Sequence, residues 1–400
     1  MLLWQEAWSR RWPEAQRPLV LGDIRSVLVV RLDEIGDMVL TTPFLRELRR
    51  NLPEASITLV VRPAVHNLVA LCPYVDRVLA YEHADSRPRS ALLAVARGRR
   101  FMHQHFGTHH FDLAVAPRWD ADPRFATVLA VVSGARWRLG YSERAGAEKP
   151  QLSPGLDRLL THACQPGSVQ HEVTRNLDLI RFVGGTVDDD RLELWLSDSD
   201  RQLARDFLDS HGVGEHDFLL AFAPGAVNPR RRWPIARFAE VADWSLKSNG
   251  GYVVVVGGEE DRGLSEALRT LVGPHVLNAA GQTTLRQAAA LMTHCSLFLG
   301  NDSGPMHIAA ASGLPVVEIS CHAELGEPGH DNSPLRFGPW RVKKQFVVQP
   351  ATALAPCVDA CLADTAHCIG SISAGDVIAQ AARLLSRPDG DAMLNDKFDT

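Results

Sequence analysis

The chain has 400 residues, 46% of them hydrophobic and 22% charged, with a formal net charge of −5. This is an ordinary globular composition with enough apolar material for two domains; its acidic balance argues against a general nucleic-acid binder, and no apolar run is long enough to cross a bilayer. The opening MLLWQEAWSRRWPEAQ lacks a secretory signal's apolar core and cleavage site, and seven unevenly placed cysteines do not read as a disulfide framework, so a cytoplasmic protein is expected.

Trp4, Trp8 and Trp12 recur at helical spacing on one face, with Arg10, Arg11 and Arg17 close by. Together with Arg97, Arg99 and Arg100 they suit weak peripheral contact with the cytoplasmic face of the inner membrane; packing on the protein's own surface is the competing expectation. Residues 26–32 read as a buried strand, and Asp33, Glu34, Ile35, Gly36 and Asp37 carry the chain into a helix. Thr42-Pro43 marks a break or restart of that helix. Asp37 thus sits where a strand gives way to a helix, the usual address of function in an open α/β sheet. Predicted strands at 56–61, 75–80, 111–116 and 137–141 alternate with predicted helices at 64–71, 87–105 and 125–133. Residues 142–170 read as irregular, the character of a binding loop. A helix at 171–182 follows, and Gly184, Gly185 and the acidic run 188–190 mark a domain boundary.

The second half repeats the rhythm. Strands are expected at 218–223, 252–256, 276–278, 296–299 and 314–319, and helices at 199–211, 235–248, 262–271, 285–293 and 306–312. A last helix at about 374–385 precedes a polar tail. The expected organisation is a first domain over 1–190, a second over 191–372, a helix at 373–387 and a tail at 388–400. The fold class is α/β, two doubly wound Rossmann-like domains facing each other across a cleft.

Three strand ends of the second domain deliver chemistry to one edge of its sheet. Pro224 to Arg232 supplies the cations Arg230, Arg231 and Arg232; Gly257 to Asp261 supplies small residues beside carboxylates; Gly300 to His307 supplies a helix N-terminus. Cations and a helix end together make a diphosphate site, and a neighbouring carboxylate can accept ribose hydroxyls. Without GxGxxG or a Walker lysine, dinucleotide redox chemistry and ATP hydrolysis are poorly supported.

The segments RLDEIGDMVLTTPFLRELR, PGAVNPRRRWPIARFAEVA, VVVGGEEDR and NDSGPMHIAAASGLPVV, in this order and spacing, resemble the glycosyltransferase family 9 heptosyltransferases. The resemblance implies a GT-B fold with an acceptor domain first, a nucleotide-sugar domain second, and a final helix returning to the first domain. It implies inverting transfer of heptose from ADP-heptose to a lipopolysaccharide-core or related acceptor, glycan or lipid-linked, with no cofactor and no catalytic metal. Carried onto this chain, the catalytic base falls on Asp37, and the lysine that members often place before Trp-Pro falls on Arg231, with Arg230 beside it. Asp302, Ser303, Gly304 and His307 match the donor-phosphate signature, and Glu259 a carboxylate near the nucleoside. Arg31, Gly36, Arg118 and His171 are the candidate acceptor contacts. Ala226 and Val227 replace hydroxyl-bearing residues of some members. An epimerase or hydrolase on the same architecture, or a sugar-nucleotide binder without catalysis, is the alternative.

Cys357, Cys361 and Cys368, spaced C-x3-C-x6-C with His367 alongside, form a candidate structural zinc or iron site whose fourth ligand the spacing leaves open; buried thiols are the competing reading. His103, His105, His109 and His110 read as surface histidines.

Overall fold

The computed structural model describes residues 19–84, 91–146, 149–152, 154–165 and 167–386; the Trp4/Trp8/Trp12 face and the 388–400 tail lie outside them. The described chain divides into two compact units. The first holds residues up to Glu34, Thr41–Ser168 and Glu172–Asp190; the second holds Ile35–Leu40, Val169–His171 and the chain from Arg191 onward. Two short segments of the first 190 residues, one bearing Asp37 and the other His171, are therefore built into the second unit. No helix among the described residues is long and apolar enough to cross a membrane.

The first unit contains the strands β1 (Ser26–Arg31), β2 (Ser56–Val61), β3 (Arg77–Ala80), β4 (Leu113–Ala116), β5 (Trp137–Tyr141) and β6 (His162–Cys164). They form one sheet in the order β3-β2-β1-β4-β5-β6, with every pairing parallel. β1 is buried from Val27 to Arg31, as expected of a central parallel strand covered on both faces. The restart at Thr42-Pro43 is present: a short helix Ile35–Val39 ends and a second, Thr42–Asn51, begins with Pro43 in its first turn. Gly98 lets the helices Ala91–Phe106 and Ala126–Val132 close on each other, since a Cβ there would lie 2.9 Å from Val132 Cγ2.

The second unit repeats the plan with β7 (Leu219–Ala223), β8 (Tyr252–Val255), β9 (Val276–Asn278), β10 (Leu297–Asn301), β11 (Val316–Ile319) and β12 (Gln345–Val348). Their order is β12-β11-β10-β7-β8-β9, again all parallel. Both sheets thus have the dinucleotide-fold strand order, and the second reverses direction between β7 and β10, where such sheets bind ligands.

Two strands were missed by the sequence reading, and both are sheet edges. β6 lies inside the stretch expected to be irregular, which also forms the short helices Lys149–Leu152 and Leu156–Leu159. Its three residues, His162, Ala163 and Cys164, carry no apolar run, and pairing with β5 alone makes the strand. β12 did carry a signal in Phe346-Val347-Val348, but it is short and stands apart from any predicted helix.

The last helix, Ala374–Ser386, was expected to return to the first domain. It packs on helix Ile235–Asn249 and on β11 and β12 of the second unit. Val377, Ala381 and Leu384 are buried there in one cluster with Trp233, Phe238 and Ile369, which accounts for the placement.

Candidate active site

The loop after β7 is fixed before it can offer any charge. Asn301, fully buried at the end of β10, accepts from the Trp233 backbone N–H at 3.1 Å and donates to Pro224 O at 2.7 Å, so one amide ties both ends of the loop to the neighbouring strand. Trp233 is buried, and its indole N–H donates to Ile372 O at 3.0 Å. Between these anchors Pro229–Arg231 forms a single 3-10 turn, with the Asn228 side chain accepting from the Arg230 N–H.

The three arginines then separate by role. Arg232 folds back to donate from Nε to Ala226 O at 2.7 Å, a structural use. Arg231 is held on three sides: Nε donates to Asn332 Oδ1 at 2.8 Å, Nη2 to Asp331 O at 3.0 Å, and Nη1 lies 3.1 Å from Asp302 Oδ2. Its side chain nevertheless keeps 23% of its surface exposed, so a preoriented cation is presented at the strand ends. Arg230 approaches Asp331 Oδ1 at 4.0 Å.

The turn after β10 brings the second positive element. Ser303 precedes helix Gly304–Ala311 in an extended conformation, but its hydroxyl turns to Asn301 O at 3.2 Å and leaves the first helical turn without a side-chain cap. Pro305 has no N–H and the Met306 N–H donates to Ser303 O at 3.1 Å, so the helix offers its positive end rather than a row of donors; beside a fixed guanidinium that end suits a diphosphate. Asp302, assigned to the phosphates by the resemblance, is 3% exposed and faces Arg231; burial pushes its carboxyl above the usual range, which the arginine only partly offsets. Its geometry is that of a residue orienting Arg231.

His307 is 3% exposed, and its Nδ1 has no hydrogen-bond partner. Burial first, then the charges of His171 and Arg231, push its pKa down to about 3, so it offers a neutral imidazole. The same ring is the wall against which Gly36 packs. A Cβ at Gly36 would lie 2.5 Å from His307 Cδ2 and 2.9 Å from Nε2, and a Cβ at Gly304 would lie 2.8 Å from Ile35 Cβ. Only a pair of glycines lets helix Ile35–Val39 and helix Gly304–Ala311 approach this closely. Asp37, half-buried on the first of them, is held beside the turn that opens the second.

At the end of β8, Glu259 is 70% exposed and pairs with Arg262 at 2.8 Å. The carboxylate that reaches toward the β7 loop is Asp261, which the sequence reading did not single out. A Cβ on Gly225 would meet its Oδ1 at 1.9 Å and one on Gly257 its Oδ2 at 2.5 Å; the Gly258 N–H donates to it at 3.0 Å. The Gly225 and Gly257 positions were the available signal, two glycines opening the loops of adjacent strands.

Of the candidate acceptor contacts, Arg31 is 2% exposed and is spent inside the first unit, with Nε 3.1 Å from Asp33 Oδ2 and Nη1 donating to Pro117 O. Arg118 also binds Asp33, and donates to Ala121 O, while keeping part of its side chain exposed. Burial opposes ionisation of Asp33, but Arg118, then Arg31 and Arg124, hold its carboxyl below the usual range. Glu34 pairs with Arg62 and, at 2.7 Å, with Arg124. His171 belongs to the second unit, where it stacks on Trp340 with ring centroids 4.4 Å apart and reaches Gly338 O at 3.0 Å.

The family model described as glycosyltransferase family 9 (heptosyltransferase) matches residues 126–365. The lipopolysaccharide core heptosyltransferase OpsX of Haemophilus influenzae is 21% identical over 324 residues, 81% of this chain and 84% of its own. The glycosyl transferase family 9 structure from Veillonella parvula superposes with a TM-score of 0.72 at 22% identity, covering 92% of this chain and 99% of that one. The structure of the Escherichia coli ADP-heptose lps heptosyltransferase II gives 0.65 at 20% identity, covering 90% and 98%.

Proposed function

Because this chain belongs to glycosyltransferase family 9, the heptosyltransferases, we propose that it transfers a heptose from ADP-heptose to a hydroxyl of a lipopolysaccharide-core or related lipid-linked glycan, with inversion and with Asp37 as general base. One observation carries the reading: Gly36 and His307 interlock, so the proposed base is held against the turn that, with Arg231, suits the donor diphosphate. The acceptor oxygen attacks the anomeric carbon as its proton passes to the Asp37 carboxylate. The bond from that carbon to the diphosphate oxygen breaks, and the charge left on the diphosphate is met by Arg231 and the positive N-terminal end of helix Gly304–Ala311. Since the fixed cation and the helix end supply that stabilisation, no metal is assigned to the chemistry. Arg118, anchored to Asp33 yet partly exposed, is the proposed acceptor contact, and Asp261 joins Glu259 as a candidate for the nucleoside.

A donor screen by calorimetry, ADP-heptose against other ADP-, GDP- and UDP-sugars, tests the donor. Nucleotide release that requires a glycan acceptor, with the product anomer opposite to that of the donor and no gain from added Mg²⁺, is the expected outcome. Release without an acceptor identifies a hydrolase, and binding without turnover a non-catalytic homologue.

A further inference from the structure

The segment 350–373 of the second unit has a single short element, the 3-10 turn Cys368–Ser371, and most of its residues are exposed, yet it buries Cys357, Cys361 and Cys368 and gathers them with His367. One ligand atom from each of these four residues lies within 4.8 Å of all the others. The geometry points to a closed structural site for one divalent, thiolate-preferring metal ion, zinc or ferrous iron, with three sulfur ligands and the Nδ1 of His367 as the fourth.

Four observations carry this. A tetrahedral ion with metal–sulfur bonds of about 2.3 Å sets its ligand sulfurs about 3.8 Å apart, a contraction the cluster needs little movement to reach. His367 turns Nδ1, the inward nitrogen, to 3.4 Å from Cys368 Sγ and 3.7 Å from Cys357 Sγ. Backbone N–H groups already point at the sulfurs, Leu354 to Cys368 and Leu362 to Cys357, each at 3.4 Å, as donors around metal-bound thiolates do. All three cysteines are free and less than 9% exposed, in a stretch with too little regular structure to order itself. A site with four protein ligands has no open position, so its role is structural.

The site also has a mechanical consequence. On one side, Asp359 O, between two of the ligands, accepts from the Glu327 N–H at 2.9 Å and so braces the 322–332 loop, whose Asp331 and Asn332 hold Arg231. On the other side, Cys368–Ser371 leads to Ile372, whose carbonyl anchors Trp233 two residues after Arg231. The ion thereby ties together both supports of the guanidinium.

The test is elemental analysis of full-length protein purified without added metal, and again after anaerobic incubation with Zn²⁺ or Fe²⁺ and desalting. About one equivalent is expected, and the element found tells zinc from iron. Less than about a tenth of an equivalent in both preparations overturns the site. Cys361→Ser and His367→Ala should lose the ion, and His367→Cys should keep it; unchanged content in the first two places the metal elsewhere and overturns the assignment. If Cys361→Ser does not fold, the two His367 variants decide. Chelation of wild-type protein should speed amide exchange across 322–332 and at Trp233, reversibly on adding the metal back; unchanged exchange there overturns the bracing role.

Discussion

Asp37 and Glu34 lie three residues apart and could exchange roles on paper, but their surroundings differ. Glu34 is tied up in ion pairs with Arg62 and Arg124, which hold its side chain within the first unit. Asp37 stands on the helix that Gly36 seats against His307. Asp37→Asn should therefore lower kcat by about 10²–10⁴-fold while donor binding and folding persist. Glu34→Gln should leave most of the turnover, and the reverse pattern in steady-state kinetics would move the base to Glu34. A second residue-scale prediction concerns Glu318, 1% exposed on β11 with Oε2 lacking a hydrogen bond. Burial, reinforced by Asp302 and opposed by Arg231, raises its carboxyl well above 4.5. Below that value both folded and unfolded chains hold the proton. Above it the unfolded chain releases the proton first, so stability falls as pH rises until the folded carboxyl also ionises. Glu318→Gln should flatten that decline and raise the melting temperature at neutral pH, at about 2–4 °C per kcal/mol recovered. A melting curve series across pH reads both effects.

Among the elements, the contact between Ile35–Val39 and Gly304–Ala311 is the one on which the proposed chemistry depends. It has no room for a methyl group at Gly36. Gly36→Ala should cost about 1–3 kcal/mol through overpacking against the His307 ring. His307→Ala removes the obstacle, so the double variant should be less destabilised than the sum of the singles, with a coupling of at least about 0.5 kcal/mol in denaturant unfolding. Strict additivity would mean that the ring does not set the spacing. In sequence this contact left only half a trace. A glycine before an aspartate and a glycine before a proline were both visible, but nothing in the chain said that the two glycines belong to one interface 268 positions apart.

For the whole molecule, the placement of the last helix yields a prediction that differs between the units. Val377 and Leu384 are buried in the second unit's core, and each such side chain is worth about 1.5–3 kcal/mol. Truncation before Ala374 should strip hydrogen-exchange protection from β10, β11 and β12 while β1, β2 and β4 keep theirs. Equal loss in both sheets would refute the packing described. By itself the sequence determined the alternation of strands and helices, hence two parallel α/β units. It also determined the three chemical loops, because an apolar run, a glycine turn and a helix start are encoded by neighbours along the chain. It carried enough of the family's pattern to identify the family. Tertiary structure alone decided which strands are edges, with β6 existing only because β5 offers it a partner. It decided that Asp302 turns to Arg231, that Asp261 joins the loops, that His367 completes the cysteine cluster, and that Ile35–Leu40 joins the second unit. The physical reason is range: periodicity reports what each residue does beside its neighbours, whereas a buried charge or a close-packed glycine takes its meaning from a residue that only the fold brings near.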